Sequence, residues 1–296
     1  MMNIKSLFLA SLALAMAGCC GSANNECTAA PKKNIAVQMY SVRDDLKKDY
    51  DGTVKKLGEM GFTAVEAAGY GNGKIYGKTP AEFKKSIEDN GMVVLSTHVV
   101  KTLSPKELES GDFSESMKWW DECIAAHKAA GAKYIVMPWM PVPKTLKDLK
   151  TYCNYFNEVG KKCKEAGMLF GYHNHAHEYQ KIEDKVMYDY MLENTNPDLV
   201  FFEMDVYWTA RGHKAPVDYF KKYPKRFKLL HIKDECELGE SGMVGFDAIF
   251  NHAKEAGLEY PIVEVERYNF APIVSTQKSI DYLRKAPFVK KSYPVK

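Results

Sequence analysis

The sequence predicts an α/β fold, a (β/α)8 TIM barrel in one domain, on three observations. Eight times a short apolar run of β type gives way to an amphipathic helical stretch, the pattern of parallel strands joined by helical crossovers. Five helix-to-strand joins carry a glycine at the turn: Gly61-Phe62, Gly91-Met92, Gly131-Ala132, Gly167-Met168 and Gly257-Leu258. Each reads as a helix C-cap followed by a strand. The carboxyl ends of the later runs collect His, Asp and Glu, where a closed parallel barrel holds its active site. The 296-residue chain is 46% hydrophobic, enough for one such core, since the fold needs roughly 250 residues.

The elements follow in order. Residues 34–40 read as strand one and 50–60 as its helix, stopped by Gly61. Residues 62–67 are strand two, followed by a Gly-rich loop at 69–77. Thr79 is placed to cap a helix with Pro80 in its first turn, and that helix runs to about Asn90. Strand three, 92–97, leads to His98; a long helix at 113–130 precedes strand four at 133–137. A helix at 146–166 precedes strand five at 168–173, and a shorter one at 186–194 precedes strand six at 199–205. A short helix at 217–222 leads to strand seven at 227–232. Residues 246–256 are helical, 261–265 are strand eight, and 273–284 close the fold.

The first residues read as targeting rather than fold. Lys5 precedes an apolar run from Leu7 to Met16 and then Ala17-Gly18-Cys19, a signal-peptide layout too short to span a membrane. The small residues before Cys19 resemble the lipobox of bacterial lipoproteins, with Met16 in place of the more usual Leu. That resemblance implies a signal peptide at 1–18, lipidation of Cys19, a flexible tether at 19–33 and a barrel at 34–296. The expectation is an exported lipoprotein anchored to a bacterial membrane and facing the periplasm. Seven cysteines show no disulfide framework; Cys153 and Cys163 share one predicted helix, about 15 Å of rise apart, too far to bridge. Net charge is +3 with acids and bases mixed along the chain, not the basic stripe of a nucleic-acid binder.

Strand alternation places Glu264 and Glu266 on one face, and two inward carboxylates call for a nearby cation. Asp205 ends an apolar run, with Glu203 on its face; the Val206-Tyr207-Trp208 that follows makes helix capping an unconvincing reason for it. His231 needs a partner inside a barrel, which a metal or substrate would supply. Lys233 shares its face and would neutralise an oxyanion. Strand five ends in His173-Asn174-His175-Ala176-His177-Glu178, where at least one of His173, His175 and Glu178 is expected to be functional. Gln38, Tyr40, Arg43, Glu66, His98 and Trp139 sit at the ends of the first four strands, with aromatic rings to stack on a sugar. No G-x-S-x-G, Walker loop or G-x-G-x-x-G is present.

From about Asn34 the chain resembles the xylose isomerase-like barrels, the sugar phosphate isomerase/epimerase and endonuclease-four-like superfamily. The matching stretches are 37–43, 65–70, 96–98, 172–175, 204–205, 231–234 and 263–266. The resemblance implies one divalent metal, Mn, Zn, Co or Mg, on strands five to eight. Family epimerases use Glu, Asp, His and Glu there. Asp205, His231 and Glu266 match the last three, and His175 or Glu178 stands for the first, because the strand ends in Tyr172-His173.

The expected activity is isomerisation or epimerisation of a carbohydrate or keto-sugar, by proton abstraction next to a carbonyl through an enediolate. His175 is the chosen base, with Glu178, Glu264 and Lys233 as further catalytic candidates; Tyr40, Glu66, His98, Trp139 and His173 are expected to bind substrate. Two alternatives are a lyase cleaving 3-keto-glycosides by β-elimination and a non-catalytic periplasmic sugar-binding lipoprotein. A nuclease would need a basic groove and a richer His/Asp/Glu set. Oligomeric state is not legible in the sequence.

Overall fold

A computed structural model describes residues 32–293. Eight parallel strands form the barrel: β1 Ala36–Gln38, β2 Ala64–Ala67, β3 Val93–Thr97, β4 Tyr134–Met137, β5 Leu169–His173, β6 Val200–Asp205, β7 Phe227–Ile232 and β8 Tyr260–Val263. Their hydrogen-bonded order is β3-β2-β1-β8-β7-β6-β5-β4. The last gap, between β3 and β4, is narrowed by a bridge between His98 and Val136. Two backbone bonds flank it, Val99 N to Val136 O at 2.9 Å and Lys133 N to Leu95 O at 3.0 Å. The barrel is thus nearly closed, as the alternating sequence predicts.

Helices cover the outside: α1 Arg43–Lys48, α2 Tyr50–Met60, α3 Pro80–Glu88, α4 Pro105–Ser110, α5 Ser114–Ala129, α6 Leu146–Glu165, α7 Met187–Asn194, α8 Val206–Arg211, α9 Pro216–Lys222, α10 Phe246–Asn251, α11 Ala253–Ala256 and α12 Pro272–Lys285. Thr79 caps α3 in a reciprocal box with Glu82, as expected. The five predicted stop glycines all adopt left-handed φ, between 74° and 95°. At Gly257 a Cβ would also meet the Lys225 Cα at 2.8 Å, so a larger residue there is doubly excluded.

The structure differs from the sequence reading in several places. Strand one stops at Gln38, whose side chain accepts from Tyr40 N and turns residues 39–42 into a 3-10 helix. Helices α1, α4 and α8 were not expected. The helix expected at 246–256 breaks at His252. The Gly-rich loop at 69–77 contains a short antiparallel ribbon pairing Tyr70 with Ile75. Lys33, placed in the tether from the sequence, is buried, its ammonium bonding the carbonyls of Leu283 and Ala286 at 3.0 and 2.6 Å. A cation at those carbonyls satisfies the C-terminal end of α12. Cys123, Cys153 and Cys163 are buried free thiols and Cys236 is partly exposed; the other cysteines lie outside the described residues. No helix among the described residues is long and apolar enough to cross a membrane.

Inside the barrel, Ala36, Ala64, Leu95, Tyr134, Phe201, Leu229 and Ile262 pack into a core separate from the one under the helices. Two residues further along, the same inward faces carry Gln38, Glu66, Glu203, His231 and Glu264. Period-two alternation thus fixes which way these side chains point. The barrel is apolar toward the amino ends of the strands and polar toward their carboxyl ends. At the amino end, Glu259 is buried and accepts from Lys133 at 2.8 Å, from Lys228 at 2.7 Å and from the Tyr134 hydroxyl.

Candidate functional site

A cavity of about 490 Å³ opens at the carboxyl ends of the strands, and Tyr40, His98, Trp139, His173, His175, Glu264 and Glu266 line it. Tyr40 and Trp139 are 44% and 45% exposed, so large aromatic faces stand free at the mouth. Arg43 backs Tyr40, its guanidinium 4.4 Å from the ring centroid, and bonds the Tyr268 hydroxyl at 2.7 Å.

Beneath the cavity, ligand atoms of His173, Asp205, His231 and Glu264 converge, all within 4.8 Å of one another. His173 Nε2 lies 3.6 Å from Asp205 Oδ2, and His231 Nδ1 lies 3.2 Å from Glu264 Oε2. All four residues are buried. Both ring nitrogens of His173 and Oδ2 of Asp205 have no hydrogen-bond partner among the described residues. Burial, and then the neighbouring His231, hold the His173 pKa below its ordinary value. A neutral imidazole has one lone pair free to bind a metal. Orphaned buried donor atoms of mixed N and O type fit a divalent metal.

The residues that converge are not the four that the sequence offers as ligands. Glu264, just past the end of β8, joins Asp205 and His231, and Glu266, two residues further on, lines the cavity. His173, rather than His175 or Glu178, supplies strand five. Glu178 is fully buried, but Oε1 accepts from the Tyr172 hydroxyl at 2.7 Å and Oε2 from His175 N at 2.8 Å. It forms a separate group with His175 and His177. Asp205 also departs from expectation: Oδ1 caps α8, accepting from Trp208 N at 2.8 Å. Burial of Val206, Tyr207 and Thr209 against the barrel turns a stretch of β character into a helix. Capping uses one oxygen and leaves Oδ2 for the cluster.

Lys233 is buried between Glu264, at 2.9 Å, and Glu266. Burial opposes its charge, but Glu264, Asp205 and Glu266 outweigh that and raise its pKa. The ammonium expected to meet an oxyanion is instead engaged by carboxylates. Five carboxylates, Glu66, Glu203, Asp205, Glu264 and Glu266, face this one lysine and three imidazoles, an excess of negative charge that a bound cation would offset.

Of Glu66 and His98, both expected to bind substrate, His98 lines the cavity and Glu66 does not; the facing atoms of both converge with those of Glu203 and His231. Burial alone would lower His98, but Glu66 and Glu203 lift its pKa to about 9. Burial and the Glu66 carboxylate raise Glu203 to about 7. His175 is half-buried at the cavity wall; burial and then His173 push its pKa down to about 4. Its ring lies beside His177 and Trp208, and Nδ1 has no partner among the described residues. Cys19 lies outside the described residues.

The sequence assigns no site role to Tyr70, although it ends the matching stretch 65–70, or to Trp119; both line the cavity and meet edge to face at 5.8 Å. Tyr70 was hidden in a loop and Trp119 in a helix, where periodicity does not mark a wall residue.

Comparison with known proteins agrees with the fold. A family model described as the xylose isomerase-like TIM barrel matches residues 54–286. A crystal structure of a sugar phosphate isomerase/epimerase from Parabacteroides distasonis is 36% identical, with a TM-score of 0.81, covering 87% of this chain and 100% of that one. A structure of the IolI protein with a bound zinc atom has a TM-score of 0.65 at 13% identity, covering 88% and 99%, a likeness of fold alone. Among curated proteins, an inosose dehydratase from Geobacillus kaustophilus is 22% identical over 62% of this chain and 61% of its own length. The chain thus spans about three fifths of that relative.

Proposed function

Because the chain belongs to the xylose isomerase-like TIM-barrel family, matched over residues 54–286, we propose that it is a divalent-metal-dependent enzyme acting on a keto-sugar or related cyclic polyol ketone. The observation that carries this is the convergence of His173, Asp205, His231 and Glu264 under the cavity, with unpartnered donor atoms on His173 and Asp205. These four would hold the ion. When bound, it supplies Lewis-acid polarisation of a substrate carbonyl and neighbouring hydroxyl.

The remaining work falls to the chain. Tyr40 and Trp139 bind the apolar faces of a sugar ring at the mouth. His175, on the cavity wall with an unpartnered Nδ1, accepts the proton from the carbon next to the carbonyl. The C–H electron pair moves toward the carbonyl oxygen. Protonation at the neighbouring carbon gives isomerisation, and protonation on the opposite face gives epimerisation. In isomerisation His175 returns the same proton; in epimerisation Glu266, also on the wall and partly exposed, takes a proton from solvent and delivers it to the opposite face while His175 releases its own to solvent. A second outcome, loss of water from the β carbon, is favoured by the relatives named inosose dehydratase; loss of an alkoxide would follow the same course.

Metal analysis after chelator-free purification, followed by incubation with keto-sugars and inososes in deuterated water, tests this reading. The expected result is metal-dependent deuterium uptake next to the carbonyl, lost in His175→Asn while metal is retained. Product mass separates loss of water from isomerisation. Substrate binding with no exchange would leave a sugar-binding protein instead.

We also propose export and lipidation at Cys19, on the sequence signal alone. Mass spectrometry of membrane-extracted protein should find an acylated Cys19; an unmodified N-terminus elsewhere in soluble material would contradict it.

A further inference from the structure

We propose that Glu66 is a positioning residue for His231: it accepts the Nε2–H of that imidazole and so presents Nδ1 to the His173–Asp205–Glu264 group. The inference rests on the metal reading above and deepens it.

His231 is fully buried with a different environment at each nitrogen. Nδ1 lies 3.2 Å from Glu264 Oε2. Nε2 lies 2.7 Å from Glu66 Oε1 and 3.3 Å from Glu203 Oε2. An imidazole that ligates a metal gives it one lone pair and keeps a single N–H on the other nitrogen. A lone pair at Nε2 would face two carboxylate oxygens with no proton between them, whereas an N–H there donates to Glu66.

The neighbouring imidazole gives the same answer. His98 Nε2 lies 2.7 Å from Glu203 Oε2 and 3.0 Å from Glu66 Oε1. Two N–H donors face two carboxylates, and the shortest pairing gives each its own: His98 to Glu203 and His231 to Glu66. The Glu66 carboxylate is itself held, since Gln38 Nε2 donates to its Oε1 at 2.8 Å. Gln38 Oε1 in turn accepts from Tyr40 N at 3.0 Å, which fixes which end of the amide faces Glu66.

The backbone supplies an independent observation. Register shifts fall between Val65 and Glu66 on β2, and between Phe202 and Glu203 on β6. Such irregularities re-aim side chains, and here both fall at the carboxylates that meet the two imidazoles. A carboxylate behind a ligating histidine sets its tautomer and strengthens it as a ligand.

The test uses Co(II) titration against a competing chelator, with thermal melts as the folding control. Glu66→Gln should weaken Co(II) binding by about 10- to 100-fold and shift the Co(II) absorption spectrum. Glu203→Gln, which removes the partner of His98, should weaken it by less. Unchanged affinity in Glu66→Gln, or an equal loss in both variants, would overturn the inference while leaving the metal reading intact. Two Co(II) ions per wild-type chain, the second lost in Glu66→Gln, would make Glu66 a ligand and overturn it as well. A wild-type chain that takes up no Co(II) removes both.

If Glu66→Gln does not fold, NMR of the cadmium-loaded wild type with 15N-labelled histidine decides the matter. Metal coupling to Nδ1 of His231, with a proton on Nε2, is expected; coupling to Nε2 overturns the proposal.

Discussion

Asp205 divides its two oxygens between two tasks. Oδ1 caps α8 through Trp208 N, and Oδ2 is buried without a partner 3.6 Å from His173. The two roles separate by substitution. Asn is as good a cap as Asp, so Asp205→Asn should keep its melting temperature in the presence of chelator while losing metal. Asp205→Ala should lose metal and, in addition, about 1 kcal/mol of stability with the cap. Thermal melts with and without chelator, alongside elemental analysis, check this. Full metal occupancy in either variant would contradict the role given to Oδ2. The sequence made Asp205 conspicuous but not its capping, because Val206-Tyr207-Trp208 favours extended backbone until burial makes it helical. The sequence points to Glu266, whereas the structure brings Glu264 to His173, Asp205 and His231. Alternation gives the face of a strand but not the height at which neighbouring strands align.

At the scale of elements, α4 and its junction with α5 give a pH-dependent contribution. Ser104 and Glu107 form a capping box, and Glu107 Oε1 also accepts from Ser116 N at 2.9 Å. Burial opposes ionisation, but the Ser104 and Ser116 bonds outweigh it and lower the Glu107 pKa from 4.5 to about 2. A carboxylate depressed on folding stabilises fully above its unfolded value and loses that stabilisation as pH falls through the folded one. The window therefore lies between about pH 4.5 and about pH 2. Glu107→Gln should lower stability by about 1 kcal/mol at neutral pH and flatten the pH dependence within that window. Urea unfolding at several acidic pH values measures it, and an unchanged slope would contradict the assignment. The Ser104-Pro105-Lys106-Glu107 signature was present in the sequence, and the reading placed no helix on it. The strand faces were legible because one side of each strand must be buried. The pairing of Glu66 with His231 was not, since 165 residues separate them and only barrel closure brings them together.

The whole molecule separates its two ends. The amino end of the barrel is tied by Glu259 to Lys133, Lys228 and Tyr134, and the carboxyl end holds the polar cluster and the cavity. Removing the Glu259 charge leaves two lysines without their partner. Glu259→Gln should lower stability by about 2 kcal/mol and leave Co(II) affinity unchanged, as urea melts and metal titration can show. A drop in metal affinity would mean that the two ends are coupled. The alternation of strands and helices, the stop glycines and the gathering of His, Asp and Glu at one end were all legible, because they follow from local backbone preference and burial. The layering of that end was not: His173, Asp205, His231 and Glu264 lie in one layer, and Glu66, His98 and Glu203 meet His231 from another. Both depend on how eight strands stagger around a common axis. The central claim is a metal held by those first four residues, and anomalous diffraction at the cobalt edge from Co(II)-loaded crystals tests it most directly. The account predicts one peak bounded by His173, Asp205, His231 and Glu264; no peak, or a peak among His175, His177 and Glu178, would contradict it.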